Sequence, residues 1–374
     1  MTFLEILASG TVISVAAVHA STVGASIWAV HRPLPQTEIS EQPGVTVLRP
    51  VCGLENNLAD TLRSTFTFGY EGAVQLVFCC DDADDPAVPL VNDLIAQFSN
   101  VDAQLLIGRD TVSGNPKLNN LVKGWNAARH DFVLMADSNV LLPHDYIQRL
   151  FARWTPDTGL VTSPPVGIRP TNAAGHLEAA FLNTYQDRWQ LTSDVFRNGF
   201  AQGKILFWRR DVLEAAGGLE KLGRDMAEDV ASTKAVRGQG LHVRLLGDLL
   251  PQPIGDRTFK DVWKRQVRWA MVRRMGFPAL YAAEILSSSA VPLILSIILA
   301  AVCAIPWVCV LALAVFWFGL EWLLAWAARW PHGVRDVGAM IWRDALLPAV
   351  WIAGWRGKEF EWRGNAMSSD DTTG

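Results

Sequence analysis

Two long stretches without a charged side chain constrain this sequence more than any other feature. Residues 6–30 contain no Asp, Glu, Lys or Arg, and neither do residues 285–320. A helix of about 20 apolar residues can cross the hydrocarbon core of a bilayer. The first stretch therefore predicts one membrane-spanning helix. The second is too long for one helix and predicts two short crossings with a turn near Pro306, because proline is easiest to accommodate between helices.

The charges beside the first stretch predict its orientation. Glu5 precedes the stretch, and His31 and Arg32 follow it. A cleaved signal peptide is disfavoured because no positive charge precedes the apolar residues. Since basic residues favour the cytoplasmic side, we expect the N-terminus outside and the chain after Arg32 in the cytoplasm.

A third apolar segment, near the C-terminus, has two interpretations. Residues 337–355 are mostly apolar and aromatic but include Arg343 and Asp344. An adjacent charge pair is expensive in hydrocarbon. We therefore predict an interfacial or re-entrant helix, with a full span as the second choice. The small, polar tail from Ser368 is predicted to be disordered.

The composition agrees with a membrane protein and excludes other classes. The chain has 374 residues, and many of its 16 tryptophans lie in the last third, as is typical near bilayer surfaces. A formal charge of −4 gives no positive field for nucleic acid. The 5 cysteines form no C-x-x-C pair and the 7 histidines show no zinc spacing. Buried thiols in a reducing compartment are the expected state.

The middle of the chain alternates between strand-like and helix-like patterns. Strand candidates lie at residues 45–48, 74–78, 103–107, 132–135, 159–162 and 242–246. Helical patterns fall between them, as at residues 87–98 and 117–128. Such alternation predicts an α/β fold with a mostly parallel sheet.

Together these patterns predict four parts of the chain. They are a transmembrane helix at residues 1–32, a cytoplasmic α/β domain at 33–275, two transmembrane helices at 276–330, and an interfacial or re-entrant helix with a tail at 331–374.

Acidic residues follow two of the predicted strands. Asp82 and Asp85 come after the strand at 74–78, and Asp137 follows the strand at 132–135. Open α/β sheets bind ligands at the carboxyl ends of their strands. A nucleotide contact is therefore predicted for Asp82, and a divalent cation bridging two phosphates for Asp137, alone or with Asn139. A solvated loop and a capped turn are the alternatives.

A third acidic pair, Glu228 and Asp229, opens a helical stretch. Either carboxylate is a candidate general base that takes a proton from an acceptor hydroxyl, and sequence position does not choose between them. Favourable interaction with a helix N-terminus is the alternative explanation.

Basic residues complete the pattern. Arg265, Arg268 and Trp269 share one helix face because of their i, i+3, i+4 spacing, and the arginine fork suits phosphate oxygens. A basic helix before a membrane span can also bind anionic headgroups. Lys117, near the start of a helix, is a candidate contact to a donor phosphate; an exposed lysine is the alternative. The set suggests transfer of a group from a nucleotide donor to a lipid.

These residues resemble the ceramide glucosyltransferases, processive-type inverting enzymes with a glycosyltransferase-A fold. The resemblance runs from about residue 45 to residue 275, with matching membrane segments on both sides. It rests on eight blocks in the same order: VTVLRP at 45–50, DADDP at 82–86, NPKLNNL at 115–121, ADS at 136–138, RDVL at 210–213, AGGL at 216–219, AED at 227–229 and RxxRW at 265–269.

The resemblance implies a role for each matched acid. Asp82 and Asp85 match the motif that binds the uridine part of the donor or lies beside it. Asp137 matches the metal-binding aspartate, and Asp229 matches the catalytic base.

The resemblance also implies the reaction. Arg265, Arg268 and Trp269 match the motif that closes over the donor pyrophosphate. The implied reaction is inverting transfer of glucose from UDP-glucose to the primary hydroxyl of ceramide, with Mg²⁺ or Mn²⁺ stabilising the departing UDP. A bacterial member would lie in the inner membrane with its catalytic domain in the cytoplasm.

One departure from the family leaves alternatives open. Animal members carry a His-Pro pair in the acceptor half, where this chain reads TYQDRW at 184–189. A hopanoid or another lipid alcohol is therefore an alternative to ceramide, and galactose, N-acetylglucosamine or a uronic acid an alternative to glucose. A polysaccharide synthase shares the catalytic plan, but its channel needs more spans than the three or four expected here. The complete acidic set disfavours a non-catalytic binder, and the large α/β segment disfavours a transporter.

Overall fold

The computed structural model describes residues 2–34, 42–223, 225, 227–247, 250–357, 359–362 and 365–368. The chain forms two compact units. The sheet unit contains Arg32–Val166, Ser193–Pro253 and Glu359–Gly374, and the helical unit contains Met1–His31, Gly167–Thr192 and Ile254–Lys358. The predicted domain boundaries stay a prediction, since packing units need not coincide with functional domains.

The strands, in chain order, are β1 (Val45–Pro50), β2 (Val74–Cys80), β3 (Ala103–Ile107), β4 (Phe132–Ala136), β5 (Thr158–Thr162), β6 (Pro165–Pro170), β7 (Ile205–Arg209), β8 (His242–Leu245), β9 (Leu250–Gly255), β10 (Glu359–Trp362) and β11 (Asn365–Ser368).

The α-helices are α1 (Phe3–His31), α2 (Leu58–Ser64), α3 (Ala87–Gln97), α4 (Pro116–Ala127), α5 (Tyr146–Ala152), α6 (Ala173–Ala180), α7 (Arg188–Val195), α8 (Arg210–Ala215), α9 (Gly218–Leu222), α10 (Glu228–Gly238), α11 (Phe259–Gly276), α12 (Pro278–Ala283), α13 (Ala290–Ala301), α14 (Trp307–Ala327) and α15 (Val334–Arg356). A π-helical segment, Phe181–Asp187, joins α6 to α7, and a 3₁₀ turn, Glu284–Ser287, follows α12.

Seven strands of the sheet unit form one sheet in the order β3-β2-β1-β4-β7-β5-β8. Strands β1 to β4 pair in parallel, and β5 pairs in parallel with β8. Strand β7 runs antiparallel to both β4 and β5. The predicted α/β fold with a mostly parallel sheet is therefore observed, and all six predicted strands are present.

The sequence analysis missed β7, which lies inside the sheet. Its apolar core, from Ile205 to Trp208, is only four residues long and follows a glycine-containing loop. So short a run does not by itself distinguish a strand from a buried helix segment. Because β7 pairs with β4, the loop that precedes β7 lies next to the carboxyl end of β4.

Both faces of the sheet are covered. On β2, Leu76 and Phe78 belong to one hydrophobic cluster, whereas Val77 and Cys79 belong to another. Strands buried on both faces read as nearly continuous apolar runs, which is why β2 was recognisable in the sequence. Strands β6 and β9 form a separate two-stranded sheet, as do β10 and β11.

Within the described residues, three helices are long and apolar enough to cross a membrane: α1, α14 and α15. A fourth crossing results if Pro278–Ser287 and Ala290–Ala301, bent by 48° at their junction, act as one span. The apolar stretch at 285–320 divides between α13 and α14, with the break before Trp307. The predicted turn near Pro306 is therefore observed.

A membrane span at residues 337–355 was disfavoured because Arg343 and Asp344 would be costly in hydrocarbon. The contacts of these two residues in α15 remove that objection. Helix α15 is continuous over 23 residues, and both the interfacial or re-entrant placement and the full span stay predictions. Arg343 is fully buried and donates from Nη2 to both Glu321 carboxylate oxygens at 2.8 Å. Asp344 accepts from the Ser289 N–H at 2.8 Å. The charged pair is satisfied inside the protein, so it is not exposed to hydrocarbon. The tail that was predicted to be disordered begins at Ser368. The residues after Ser368 lie outside the described residues.

Candidate active site in the sheet unit

The predicted acidic residues converge at one edge of the sheet. Strands β2 and β4 flank β1 and run parallel to it, so their carboxyl ends lie at the same edge. The loop with Asp82 and Asp85 follows β2, and Asp137 follows β4. Two further elements, α4 and α10, contribute side chains that contact Asp137 or one another.

Asp137 is held between two lysines. Lys117 Nζ lies 2.7 Å from Asp137 Oδ1, and Lys204 Nζ lies 2.8 Å from Oδ2. Burial by itself would raise the pKa of this carboxyl, but the two ammonium groups outweigh it and hold the pKa well below its usual range. Asp137 is therefore an anion throughout the physiological pH range.

Lys117 joins the separate parts of the site. Helix α4 begins at Pro116, where Asn115 caps it by accepting from the N–H groups of Lys117 and Leu118. The Lys117 ammonium donates to Asp137, to Glu228 Oε1 at 2.7 Å and to the Gly203 carbonyl at 2.6 Å. An ammonium has three protons, so all of them are used. Burial lowers the pKa of Lys117, but Asp137 and Glu228 outweigh burial and raise it.

Glu228 and Asp229 open α10 and have different surroundings. Glu228 is buried, and besides Lys117 it accepts from Asn115 Nδ2 at 3.0 Å. Asp229 is half-buried and accepts from the Val230 N–H at 2.8 Å. Burial, followed by the neighbouring Glu228 charge, raises the pKa of Asp229 to about 6. The two carboxylates thus differ in their surroundings: Glu228 is paired with Lys117, and the pKa of Asp229 is raised to about 6. Which of them is the catalytic base stays a prediction.

Gly203 brings the two carboxylates of α10 close to Lys117. A Cβ atom at this position would lie 2.9 Å from Glu228 Oε1 and 3.5 Å from Asp229 Oδ2. The absence of a side chain therefore permits the close approach of the loop before β7 to α10. Through its carbonyl this loop contacts Lys117, and through the next residue, Lys204, it contacts Asp137.

Asp85 and Asp82 differ in their contacts. The Asp85 carboxylate accepts from the Gly53 N–H at 2.9 Å and the Ala87 N–H at 2.8 Å. It therefore ties the loop after β1 to the start of α3. Asp82 is exposed and accepts from the Asp84 N–H at 3.0 Å. The donor-binding roles of both residues stay predictions.

The basic motif of α11 belongs to the helical unit. Arg265 pairs with the buried Glu178, which also accepts from Arg257 Nε at 3.1 Å. Trp269 packs against Ala179, Leu182 and Ile254. Arg268 shares the helix with them. The structure does not bring these residues into the same unit as Asp137 and Asp229, so their predicted contact with the donor pyrophosphate stays a prediction.

Two site residues escaped the sequence analysis. Lys204 stands 67 positions from Asp137, directly before the unrecognised strand β7. Its place at the end of a glycine-containing loop does not predict the contact with Asp137. Buried Arg49 donates to the carbonyls of Ser138 and Val140 at 3.3 and 3.2 Å. It fixes the backbone that follows Asp137, and burial lowers its pKa to about 9 although Asp137 opposes that shift. Arg49 lies in the VTVLRP block at 45–50, but no role was predicted for it.

A divalent cation at this site would need ligands from outside the protein. No cluster of three or more His, Cys, Asp or Glu side chains with metal-binding geometry occurs in the described part of the chain. Mg²⁺ is commonly bound through one or two carboxylates together with substrate phosphates. One permanently ionised carboxylate, Asp137, with the Asn139 amide oxygen 3.0 Å from the same Lys204 ammonium, fits that mode.

The sequence matches the family model described as Glycosyl transferase family 21 over residues 8–373. Ceramide glucosyltransferase 3 of Caenorhabditis elegans is 24% identical over 360 residues, covering 94% of this chain and 77% of that protein. Ceramide glucosyltransferase 1 of the same organism is 28% identical over 244 residues, covering 65% and 52%. The latter match spans about half of the relative's length.

A solved structure shares the fold. The mannosyltransferase PcManGT from Pyrobaculum calidifontis, in complex with GDP-Man and Mn²⁺, aligns with a TM-score of 0.53 over 93% of this chain and 98% of that chain, at 15% identity. At this identity the likeness concerns the fold alone. It confirms the predicted glycosyltransferase-A fold, a mostly parallel Rossmann-like sheet accompanied by apolar helices toward both ends of the chain.

Proposed function

Since this chain belongs to glycosyl transferase family 21 and is a hexosyltransferase, we propose that it moves glucose from UDP-glucose to the primary hydroxyl of ceramide. The observation that carries the proposal is a site with two carboxylates whose pKa values are shifted in opposite directions. Asp137 is kept ionised by two lysines, while Asp229 has a pKa near 6. Similar proteins named ceramide glucosyltransferase support the choice of donor sugar and acceptor.

Asp229 acts as the general base in this proposal. Its pKa of about 6 leaves it deprotonated at neutral pH, yet basic enough to accept a proton in the transition state. The acceptor hydroxyl gives its proton to the Asp229 carboxylate as its oxygen bonds to the anomeric carbon. The bond between that carbon and the diphosphate oxygen breaks, and UDP leaves with the electron pair. Attack from the opposite side inverts the anomeric configuration.

Asp137, with Asn139 beside it, would hold Mg²⁺ or Mn²⁺ together with donor phosphates. A bound divalent ion supplies neutralisation of the charge that develops on the departing diphosphate. Both Asp137 oxygens contact ammonium groups, so a cation must use their remaining lone pairs or replace one lysine. Lys204 is the better candidate for release, since Lys117 is also fixed by Glu228 and Gly203.

The remaining predicted donor contacts complete the proposal. Exposed Asp82 is assigned to the uridine part of the donor, with Asp85 shaping the same loop. Lys117 contributes positive charge beside the phosphates. Arg265 and Arg268, with Trp269, are assigned to closure over the pyrophosphate, which requires Arg265 to exchange Glu178 for phosphate oxygens.

The proposed location is a bacterial inner membrane, with the sheet unit in the cytoplasm. Three helices suited to membrane crossing support a membrane protein, and the basic residues after α1 support the orientation. Membrane lipids are then the surroundings of the acceptor. Three or four crossings leave a polysaccharide synthase less favoured, because an extrusion channel needs more.

Purified protein in nanodiscs tests the proposal. With UDP-glucose, ceramide and Mg²⁺ or Mn²⁺, mass spectrometry should detect glucosylceramide. Asp229→Asn should abolish it without loss of folding, because burying a neutral amide costs less than burying the charge. Asp211→Asn, whose side chain is 66% exposed on α8, is the matched control and should retain activity. The acceptors are ceramide or a hopanoid alcohol, and the donors are UDP-glucose or another UDP-sugar. A folded wild-type protein that makes no glycolipid from any of these combinations would contradict the assignment.

A further inference from the structure

The ammonium group of Lys204 lies between two oxygens of the acidic site. Lys204 Nζ is 2.8 Å from Asp137 Oδ2 and 3.0 Å from Asn139 Oδ1. Carboxylate and amide oxygens are ligands that suit Mg²⁺ and Mn²⁺. A cation that binds both oxygens at once, at about 2.0–2.1 Å from each, would lie in the space that the ammonium group fills.

The backbone of Lys204 is fixed, so a displacement would be confined to its side chain. The Lys204 carbonyl accepts from the Asp137 N–H at 3.0 Å, and the Lys204 N–H donates to Gln202 Oε1 at 2.6 Å. The next residue, Ile205, begins β7, which pairs with β4. Lysine has a flexible four-carbon stem, so the ammonium group can turn away from Asp137 while its backbone stays beside β4.

Lys117, the second lysine on Asp137, is held more firmly. Its ammonium group contacts Asp137 Oδ1, Glu228 Oε1 at 2.7 Å and the Gly203 carbonyl at 2.6 Å. These contacts include two carboxylates and use all three protons. Lys204 donates to one carboxylate and one neutral amide, so its removal breaks a single ion pair. Of the two lysines, Lys204 is therefore the one whose displacement costs less.

Charge determines where a displaced ammonium group would go. A divalent cation beside Asp137 repels a neighbouring ammonium group, and this repulsion is stronger in a partly buried site than in water. The Lys204 side chain is 12% exposed, so water compensates the displaced charge only in part. The diphosphate of a nucleotide donor has anionic oxygens that bind a lysine ammonium group. It is therefore the partner that can replace Asp137.

We propose that Lys204 is a donor-binding residue: a divalent cation takes its place between Asp137 and Asn139, and its ammonium group moves to an oxygen of the donor diphosphate. This inference rests on the proposed function and deepens it. Without nucleotide, the cation must separate Lys204 from its carboxylate partner. With nucleotide, the ammonium group gains a new anionic partner. The cation and the nucleotide should therefore strengthen each other's binding, by the same factor in both directions.

Titrations with Mn²⁺ test this exchange on the full chain in nanodiscs of zwitterionic lipid. Electron paramagnetic resonance measures free Mn²⁺ without nucleotide and with saturating UDP, and a protein-free titration corrects for the Mn²⁺ that UDP binds. Lys204→Met keeps the stem and removes the ammonium group. Without UDP it should bind Mn²⁺ about tenfold more tightly than the wild type, and the strengthening of Mn²⁺ binding by UDP should fall at least about fivefold.

Lys234→Met is the matched control. Lys234 forms an ion pair with Asp225 and has a side chain that is 46% exposed, so its loss changes the charge of the protein equally. Mn²⁺ binding with and without UDP should match that of the wild type. The direction of the change in Lys204→Met identifies the role, because a residue that only held Asp137 in place would weaken Mn²⁺ binding when removed.

Two results would overturn the inference. Unchanged or weaker Mn²⁺ binding by Lys204→Met without UDP would mean that the cation leaves Lys204 in place and uses other lone pairs of Asp137. Tighter Mn²⁺ binding with an unchanged effect of UDP would mean that the ammonium group does not reach the diphosphate. If circular dichroism shows that Lys204→Met does not fold, Lys204→Gln, which also lacks the charge, replaces it.

Failure of the proposed function gives a different pattern. The titrations need neither a sugar nor an acceptor lipid, so they also apply to a wild-type protein that makes no glycolipid. Tighter Mn²⁺ binding by Lys204→Met together with a smaller effect of UDP would then retain the inference without the reaction. A lack of Mn²⁺ binding by both proteins, with and without UDP, would overturn the inference whatever the reaction.

Discussion

At the scale of single residues, the site works by giving neighbouring carboxylates different electrostatic surroundings. Asp137 faces two ammonium groups, whereas Asp229 faces burial and the charge of Glu228. The pKa of the same side-chain type is therefore lowered at one position and raised at the other. Lys117 contacts Asp137 directly, and it also contacts Glu228, the sequence neighbour of Asp229, and the Gly203 carbonyl.

The raised pKa of Asp229 predicts the pH dependence of catalysis. The base form exists above the pKa, so kcat/KM should be constant above pH 7 and should fall as pH drops through about 6. Glu228→Gln removes a like charge, which favours the ionised form of Asp229, so the acid limb should move to lower pH. Initial rates in nanodiscs, taken from about pH 4.5 to about pH 8, measure the acid limb of the wild type and that of Glu228→Gln.

Glu214→Gln is the control for that shift, because Glu214 is 53% exposed and pairs with Arg210 on α8. Its acid limb should coincide with that of the wild type. An acid limb that Glu228→Gln leaves in place would refute the coupling between the two carboxylates.

A second residue-scale prediction concerns Asp137. Asp137→Ala should weaken UDP binding at least about tenfold when Mg²⁺ or Mn²⁺ is present, and much less in EDTA. Isothermal titration calorimetry in both conditions measures the difference. Asp93→Ala, an exposed acid on α3, should bind like the wild type. Equal weakening with and without metal would mean that Asp137 acts through Lys117 and Lys204 alone.

At the scale of elements, α4 has to lie close to the sheet for Lys117 to reach Asp137. Gly124, in the middle of α4, makes that approach possible. A Cβ atom there would lie 2.6 Å from Cys79 Sγ on β2 and 3.3 Å from Leu48 Cδ2 on β1. Since interiors are close-packed, an added methyl group must displace the Cys79 side chain or shift the helix away from the sheet.

Gly124→Ala should therefore lower the free energy of unfolding by about 1–3 kcal/mol, and activity should fall with it. Gly238→Ala is the matched control at a helical glycine with no atom within 4 Å of the added Cβ. It should be neutral or slightly stabilising, since alanine favours helix more than glycine. Thermal unfolding followed by circular dichroism compares the two. Equal stability of the two variants would contradict the close packing of α4.

The elements also show which parts of the structure were predictable. The six strands recognised in the sequence are apolar runs at their own positions in the chain. Strand β7 was missed because four apolar residues carry too little pattern. That one omission hid Lys204, since without β7 nothing places residue 204 beside Asp137.

At the scale of the whole molecule, charges inside the helical unit hold together helices that are otherwise apolar. Arg343 of α15 donates to Glu321 of α14 and, from Nη1, to Thr184 Oγ1 at 2.8 Å. Ser289, just before α13, donates to Asp344. Such groups stabilise only as a complete set, because each is buried and needs its partner.

Glu321→Leu leaves Arg343 with Asp344 as its remaining carboxylate partner, and we expect a loss of about 3–5 kcal/mol in stability. The measurement is the midpoint temperature of aggregation in detergent, together with the yield of monodisperse protein. Glu214→Leu, which breaks an exposed pair, should change little. A stable Glu321→Leu protein would show that the buried pair is dispensable.

The sequence by itself determined the apolar segments, the strands with clear runs, and the acids that follow those strands, because each depends on residues adjacent in the chain. It also carried the family resemblance in short ordered blocks. Only the tertiary structure decided what surrounds each charge. Lys204 forms an ion pair with Asp137, and Arg343 forms one with Glu321. Of the two carboxylates that open α10, Glu228 is the one paired with Lys117. Electrostatic energies depend on distances in space and on exclusion of water, and both arise when distant parts of the chain pack together.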